Sequence, residues 1–317
     1  MPKFHRHQMN TLVSTSRLTA PDAGNVFEWM SVVENQFSRF LPKSELSQIN
    51  RKAGSVTPLS RSFAELLFEA LRYYSATEGI FNPFLGRLMN AFGYDRSFDQ
   101  LDRENAMIFG IKQKCQVPIG SFSFDLDRRE VHLPTGSALD FGGIAKGWAV
   151  QKAALRLIAS NRSAGLINAG GDLMCWRAPS DPTQWVINVS HPHSEDQTIG
   201  QLVFDPGQWG VATSSKVKRR WHDGKSTWHH ILDPRTSLPS DSDIVQATVI
   251  GDALLPCEIY AKCLLIMGTQ DGPDWLYKRR PDLLYLIIKN NGQVMYSSQL
   301  RSSHILRNFS EKITMPI

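Results

Sequence analysis

The chain has 317 residues, 42% of them hydrophobic, and a formal net charge of +5. That balance fits a globular protein with a mild preference for phosphate-bearing ligands and no need of nucleic acid. No run approaches the roughly 18 apolar residues of a membrane helix. The basic start, Met1 to Asn10, lacks the apolar core of a secretory signal, so a cytoplasmic protein is expected. Cys115, Cys175, Cys257 and Cys263 match neither a zinc spacing nor a disulfide framework and read as reduced, mostly buried thiols. With no repeat, low-complexity tract or clear linker, residues 1–317 are read as a single domain.

In chain order, Met9-Asn10-Thr11-Leu12-Val13 begins a strand. Pro21 and Asp22 start a helix in which Val26, Met30, Val33 and Phe37 fall at helical spacing, with Phe40 just beyond. Pro58 to Thr77 reads as a second amphipathic helix, buried through Phe63, Leu66, Leu67, Ala70, Leu71 and Tyr74 and ended by Gly79. Phe122–Leu126 and Glu130–Leu133 flank Asp127-Arg128-Arg129 as a hairpin. Trp185–Val189 and Ile199–Phe204 are further strands. His191-Pro192-His193 between them reads as a surface loop, because no third metal ligand is near. Lys216, Lys218, Arg219 and Arg220 with Trp221 read as a solvated hairpin turning at Asp223-Gly224, in preference to a nucleic-acid surface. Val245 to Ile250 is a strand, and Pro256 opens a helix carrying Cys257, Glu258 and Lys262. A C-terminal hairpin over about 283–297 turns at Asn290-Asn291-Gly292. This order is not a βαβ series, so the expected class is α+β, with mostly antiparallel sheets and packed helices.

The most informative stretch runs from Leu139 to Asp172. Asp140-Phe141-Gly142-Gly143-Ile144-Ala145-Lys146-Gly147 leads into a helix with Ala153, Ala154, Leu155, Leu157 and Ile158 on its apolar side. A buried strand follows, ending Asn168-Ala169-Gly170-Gly171-Asp172. Free N–H groups and the helix dipole at Gly142-Gly143 favour an anion, and Lys146 one turn later adds positive charge. A plain glycine turn with Asp140 as helix cap is the other reading, and two glycines alone do not decide between them.

These residues resemble the core of the ApbE family, the FAD:protein FMN transferases. Further blocks follow in the same order. Ser44-Glu45-Leu46-Ser47-Gln48-Ile49-Asn50 is similar to an early family motif, Gly79-Ile80-Phe81-Asn82-Pro83 to its Gly-x-Phe-Asp-Pro and Phe92-Gly93-Tyr94 to its Trp-Gly-Phe. Ala212-Thr213-Ser214-Ser215 and His229-His230-Ile231-Leu232-Asp233-Pro234-Arg235-Thr236 match two more, so the resemblance spans about Met9 to Gly268. It implies a T-fold-related α+β architecture. It also implies a reaction in which a serine or threonine hydroxyl of a target protein cleaves the pyrophosphate of FAD, keeps FMN and releases AMP. The implied partners are FAD and that target protein.

By the same resemblance, Met9, Phe40, Ile80, Phe81, Asn82, Asp140, Gly142, Gly143, Lys146 and Leu232 would contact FAD, with a core role for Phe40 as the alternative. His230 would act as base or polarise the phosphate, and His229 would be structural or exposed. The family holds Mg2+ with an Ala-Asp-x-x-x-Thr motif and a backbone carbonyl, which fall here on Glu258, Lys262 and Gly143. Lys262 departs from that pattern, because an ammonium has no lone pair to give a metal. Two readings stand. Lys262 replaces the ion, or it pairs with Glu258 one helical turn back as a surface salt bridge beside an ordinary magnesium site. Asn10, Asn82 and Ser237, standing for glycine, aspartate and glycine, are smaller departures. Asp223-Gly224-Lys225-Ser226 lacks the ending of a flavinylation motif, which argues against self-modification. The two functions to separate are an active transferase and a degenerate FAD-binding protein serving as flavin carrier or assembly partner.

Overall fold

The structure, a computed structural model, describes residues 3–101, 121–222 and 226–315. Cys115 and the Asp223-Gly224 turn lie outside these residues. Eight strands form one sheet in which spatial order follows chain order. They are β1 (Lys3–Gln8), β2 (Thr11–Ser16), β3 (Ala164–Ala169), β4 (Asp172–Arg177), β5 (Gly207–Ser215), β6 (Ile244–Gly251), β7 (Leu284–Lys289) and β8 (Val294–Tyr296). Each is antiparallel to the next. Most of the remaining segments are insertions between consecutive strands; a short helix, Ser298–Arg301, and a strand, Leu306–Arg307, follow β8. Helices α1 (Ala20–Phe37), α2 (Arg61–Ala76) and α3 (Ala145–Ala159) fall between β2 and β3, and α4 (Leu254–Arg279) between β6 and β7.

The sheet is covered on both faces. Successive side chains of a strand point to opposite sides. In β4, Met174 and Trp176 join the core made with α1, α2, α3 and α4. Leu173 and Cys175 face the opposite way, into a second core completed by Val189, Leu202 and Phe204 of the strands Trp185–His191 and Ser194–Phe204. Two-sided burial lets every position of β4 and β6 be buried, with no exposed face to alternate against. A third cluster joins Leu88, Met89, Phe92, Tyr94, Trp221 and Leu232, with Phe40 packed against it.

Local signals account for most element ends. Thr19 caps α1 by accepting from the Asp22 N–H, and Ser60 caps α2 by accepting from the Phe63 N–H. Helix α2 starts at Arg61, not Pro58, because Pro58 closes the short strand Val56–Pro58. Gly79, at φ +81°, donates its N–H back to the Tyr74 carbonyl at 2.8 Å and ends the helix as read. Met9-Asn10 is a turn and not the start of a strand. Both residues have positive φ, 52° and 56°, as a tight hairpin between β1 and β2 demands. Asparagine tolerates that conformation, so it stands in for glycine at Asn10. His191 is buried and its Nε2 meets the Thr314 carbonyl at 2.8 Å, so the His-Pro-His segment is only partly a surface loop. Among the described residues no helix is long and apolar enough to cross a membrane.

Candidate active site

A cavity of about 440 Å3 opens where the β1–β2 turn, the end of α1, the start of α3, Arg219, the segment 230–232 and α4 converge. Its size is ordinary for a small-molecule site. Met9, Phe40, Ile80, Phe81, Asn82, Asp140, Gly142, Gly143, Lys146, His230, Leu232 and Lys262 all line it. Glu258 lies behind this wall, 5% exposed. Residues drawn from positions 9 to 262 are therefore brought to one place.

The start of α3 organises the charges. The helix has no side-chain cap; Ile144 is its N-cap residue. Asp140 is thus not the helix cap. Its Oδ1 accepts from the Gly142 N–H at 2.8 Å, and its Oδ2 pairs with Arg39 Nε at 2.6 Å. One turn into the helix, Glu258 Oε2 accepts from the Gly147 N–H at 2.8 Å. The carboxylates of Asp140 and Glu258 thereby occupy positions that the helix dipole favours for negative charge. Lys146 is not a free cation. Its ammonium pairs with Asp172 and faces Glu258 Oε1 at 3.6 Å. Burial pulls its pKa down, against the pull of Glu258 upward. Asp172 also accepts from the Thr213 N–H at 3.3 Å, which ties α3 to β4 and β5.

The aromatic wall comes from other elements. The Arg39 guanidinium lies 4.2 Å from the Phe40 ring centre and 4.8 Å from that of Tyr94. Tyr94 meets Phe40 edge-on at 5.4 Å and stacks on Trp221 at 5.4 Å. Trp221 is buried and donates Nε1–H to the Phe92 carbonyl at 2.9 Å. The basic segment is therefore not simply a solvated hairpin. Its strands, Arg220–His222 and Thr227–His229, do pair. However, Lys216 is buried against the Ser242 carbonyl, and Arg219 reaches the cavity. Arg39, Tyr94, Arg219 and Asp172 escaped sequence reasoning as site residues. The signal was present for Arg39 beside Phe40, and for Asp172 in the Gly-Gly-Asp turn.

His230 is the cavity's titratable acceptor. Its Nδ1 is buried with no hydrogen-bond partner among the described residues. Burial, then the charges of Arg219 and Lys262, hold its pKa well below 6.5, so the ring is neutral near pH 7. His229 is buried, which removes the exposed alternative. Its Nε2 meets the Ser240 carbonyl at 3.1 Å, and burial pulls its pKa down to about 4.

The residues present do not fit the magnesium site that the resemblance implies. Both oxygens of Glu258 face groups of this chain, the Gly147 N–H and Lys146. Lys262 is not a surface partner of Glu258 but lines the cavity. Its ammonium lies so close to Gly143 that a Cβ there would overlap it and stand 2.7 Å from its Cε. Among the described residues no group of three or more His, Cys, Asp or Glu could hold a metal.

A meandering antiparallel sheet, helices on one face and a pocket lined by cationic and aromatic side chains define an α+β protein with a small-molecule-sized cavity. The chain belongs to the ApbE family, whose model matches residues 9–287. An FAD:protein FMN transferase of Vibrio cholerae is 26% identical over 275 residues, covering 84% of this chain and 79% of that protein. Another, of Haemophilus influenzae, is 22% identical over 271 residues, covering 84% and 78%. The crystal structure of the ApbE protein of Thermotoga maritima superposes with a TM-score of 0.80 at 23% identity, over 95% of this chain and 98% of that one. The apo form of the Pseudomonas stutzeri flavinyl transferase ApbE gives 0.76 at 21% identity, over 93% of each chain. These two likenesses carry the α+β fold.

Proposed function

We propose that this protein transfers FMN from FAD to a serine or threonine hydroxyl of a target protein and releases AMP. The observation that carries this reading is a neutral His230 with an unpartnered buried Nδ1, in the same cavity as Arg219, Lys262 and the start of α3. A transfer site must fix a phosphoryl group, offset its charge and take a proton from the attacking hydroxyl. Arg219, Lys262 and the backbone at Gly142-Gly143 would offset the pyrophosphate charge. Phe40, Tyr94 and the apolar residues Met9, Ile80, Phe81 and Leu232 would receive ring surface. Asn82 and Asp140 are polar groups at the rim; Asn82 holds its own loop by accepting from the Phe84 N–H at 2.8 Å.

In the reaction, the hydroxyl oxygen bonds to the phosphorus on the riboflavin side. The bond from that phosphorus to the bridging oxygen breaks, and AMP leaves with the electron pair. The hydroxyl proton goes to His230. Lys146 acts through structure, holding Asp172 and Glu258 so that α3 keeps its start in place. Residues from His7 to Ile266 contribute to the cavity, so we treat residues 1–317 as one catalytic unit.

The test is incubation with FAD and a peptide carrying a flavinylation motif, read as covalent flavin fluorescence and as AMP release. Labelled peptide with equimolar AMP is expected. FAD binding without either product would point instead to a flavin carrier.

A further inference from the structure

We propose that the Lys262 ammonium is the resident cation of this site, neutralising the pyrophosphate of the bound dinucleotide in place of a divalent ion, and that Gly143 is glycine to admit it. The inference rests on the flavin reading above.

Three observations carry it. The first is space. Gly143 does not have the positive φ that would call for glycine. What a side chain there would meet is the Lys262 ammonium, which lies where a Cβ would be and would have to move aside. Lysine and glycine thus form a matched pair across the cavity wall. The second is charge. The nearby carboxylates are already engaged: Asp140 by Arg39 and the Gly142 N–H, Glu258 by Lys146 and the Gly147 N–H, Asp172 by Lys146 and the Thr213 N–H. Lys262 has neither an ion pair nor a hydrogen bond among the described residues, and burial works against its charge. An unpaired ammonium facing a cavity is stable only if an anion or water completes it. The third is chemistry. A pyrophosphate offers oxygens to an ammonium directly, whereas a divalent ion needs several ligands brought together, and among the described residues no group of three or more His, Cys, Asp or Glu does so. One charge replaces two, and Arg219, which lines the same cavity, makes up part of the difference.

The experiment measures FAD affinity by quenching of flavin fluorescence, in EDTA and in excess Mg2+. Riboflavin serves as a phosphate-free control, and Mn2+ binding is followed by paramagnetic resonance. Equal FAD affinity with and without divalent ion is expected, with no tight Mn2+ site. Lys262→Met should lower FAD affinity tenfold or more in EDTA and leave riboflavin unchanged. Gly143→Ala, which pushes the ammonium aside, should have the same effect in smaller measure. Circular dichroism checks the fold of each variant; should Lys262→Met not fold, Lys262→Gln and the metal comparison on the unaltered protein decide. FAD binding that needs Mg2+, a tight Mn2+ site in the unaltered protein, or a Lys262 variant with unchanged FAD affinity would each overturn the proposal and leave the flavin reading standing. Failure to bind both FAD and riboflavin would remove the flavin reading, and the proposal with it.

Discussion

Glu258 is the residue whose replacement best separates an anchor from a ligand. In Glu258→Ala the Gly147 N–H loses its acceptor in a closed space, since a Cβ on Gly147 would come within 2.5 Å of Glu258 Oε2. A buried donor left unpaired costs about 1–3 kcal/mol. The same change takes one of two carboxylates from Lys146, which faces it at 3.6 Å. Asp172 remains beside the ammonium, so that second loss is partial. The sum falls in the range of about 3–5 kcal/mol typical of breaking a buried pair. For 317 residues, at about 2.1 cal/mol/K each, the unfolding entropy is roughly 0.67 kcal/mol/K. The melting temperature should therefore drop by about 4–8 °C. Glu258→Gln keeps an oxygen for the Gly147 N–H and should lose roughly half as much. The assay is calorimetric unfolding in EDTA without FAD, where no ligand contributes. A melting temperature equal to that of the unaltered protein, with transfer abolished, would show that Glu258 serves a ligand and not the fold.

Other outcomes follow from the same geometry. His230→Gln should lower the transfer rate by about 10²–10⁴ while FAD affinity stays close to that of the unaltered protein; a matching loss in affinity would make His230 a binding residue. Because burial keeps His230 neutral, the rate should stay flat as pH falls to 6.5 and decline only below it; an acid limb centred at or above 7 would refute the assignment. His229, at about 4 when folded against 6.5 when free, contributes stability present in full above pH 6.5 and lost as pH falls towards 4. That loss is about 3 kcal/mol, and urea midpoints at pH 7 and 4.5 should converge in His229→Asn. Lys146→Met leaves Asp172 and Glu258 buried without their cation and should destabilise by about 3–5 kcal/mol. A double-mutant cycle with Glu258→Gln should then give a coupling above roughly 0.5 kcal/mol, and strict additivity would count against the network.

What could be read from sequence, and what could not, divides by the distance over which a residue finds its partner. The start of α3, the hairpin over 283–297 and the glycine at the end of α2 are local, settled within a few residues by turn chemistry and spacing. β1 was missed because Lys3–Gln8 is polar almost throughout, as suits a strand at the edge of a sheet that must not recruit another chain. The candidate site residues were found as types, because the motif blocks each supply a short run of the cavity wall. Their pairings were not legible. Gly147 finds Glu258 across 111 positions and Lys146 finds Asp172 across 26. Sequence offered both Lys146 and Lys262 as cations for the ligand; the fold gives the Lys146 ammonium to two carboxylates and leaves Lys262 without an ion pair among the described residues. The same logic governs Gly143. Read alone it is a helix-opening glycine, and read alone Lys262 is a polar residue on a helix. Only when the cavity wall closes do the missing Cβ of one and the ammonium of the other share a single volume. The glycine's reason thus lies on α4, where no local pattern around Gly143 could reveal it.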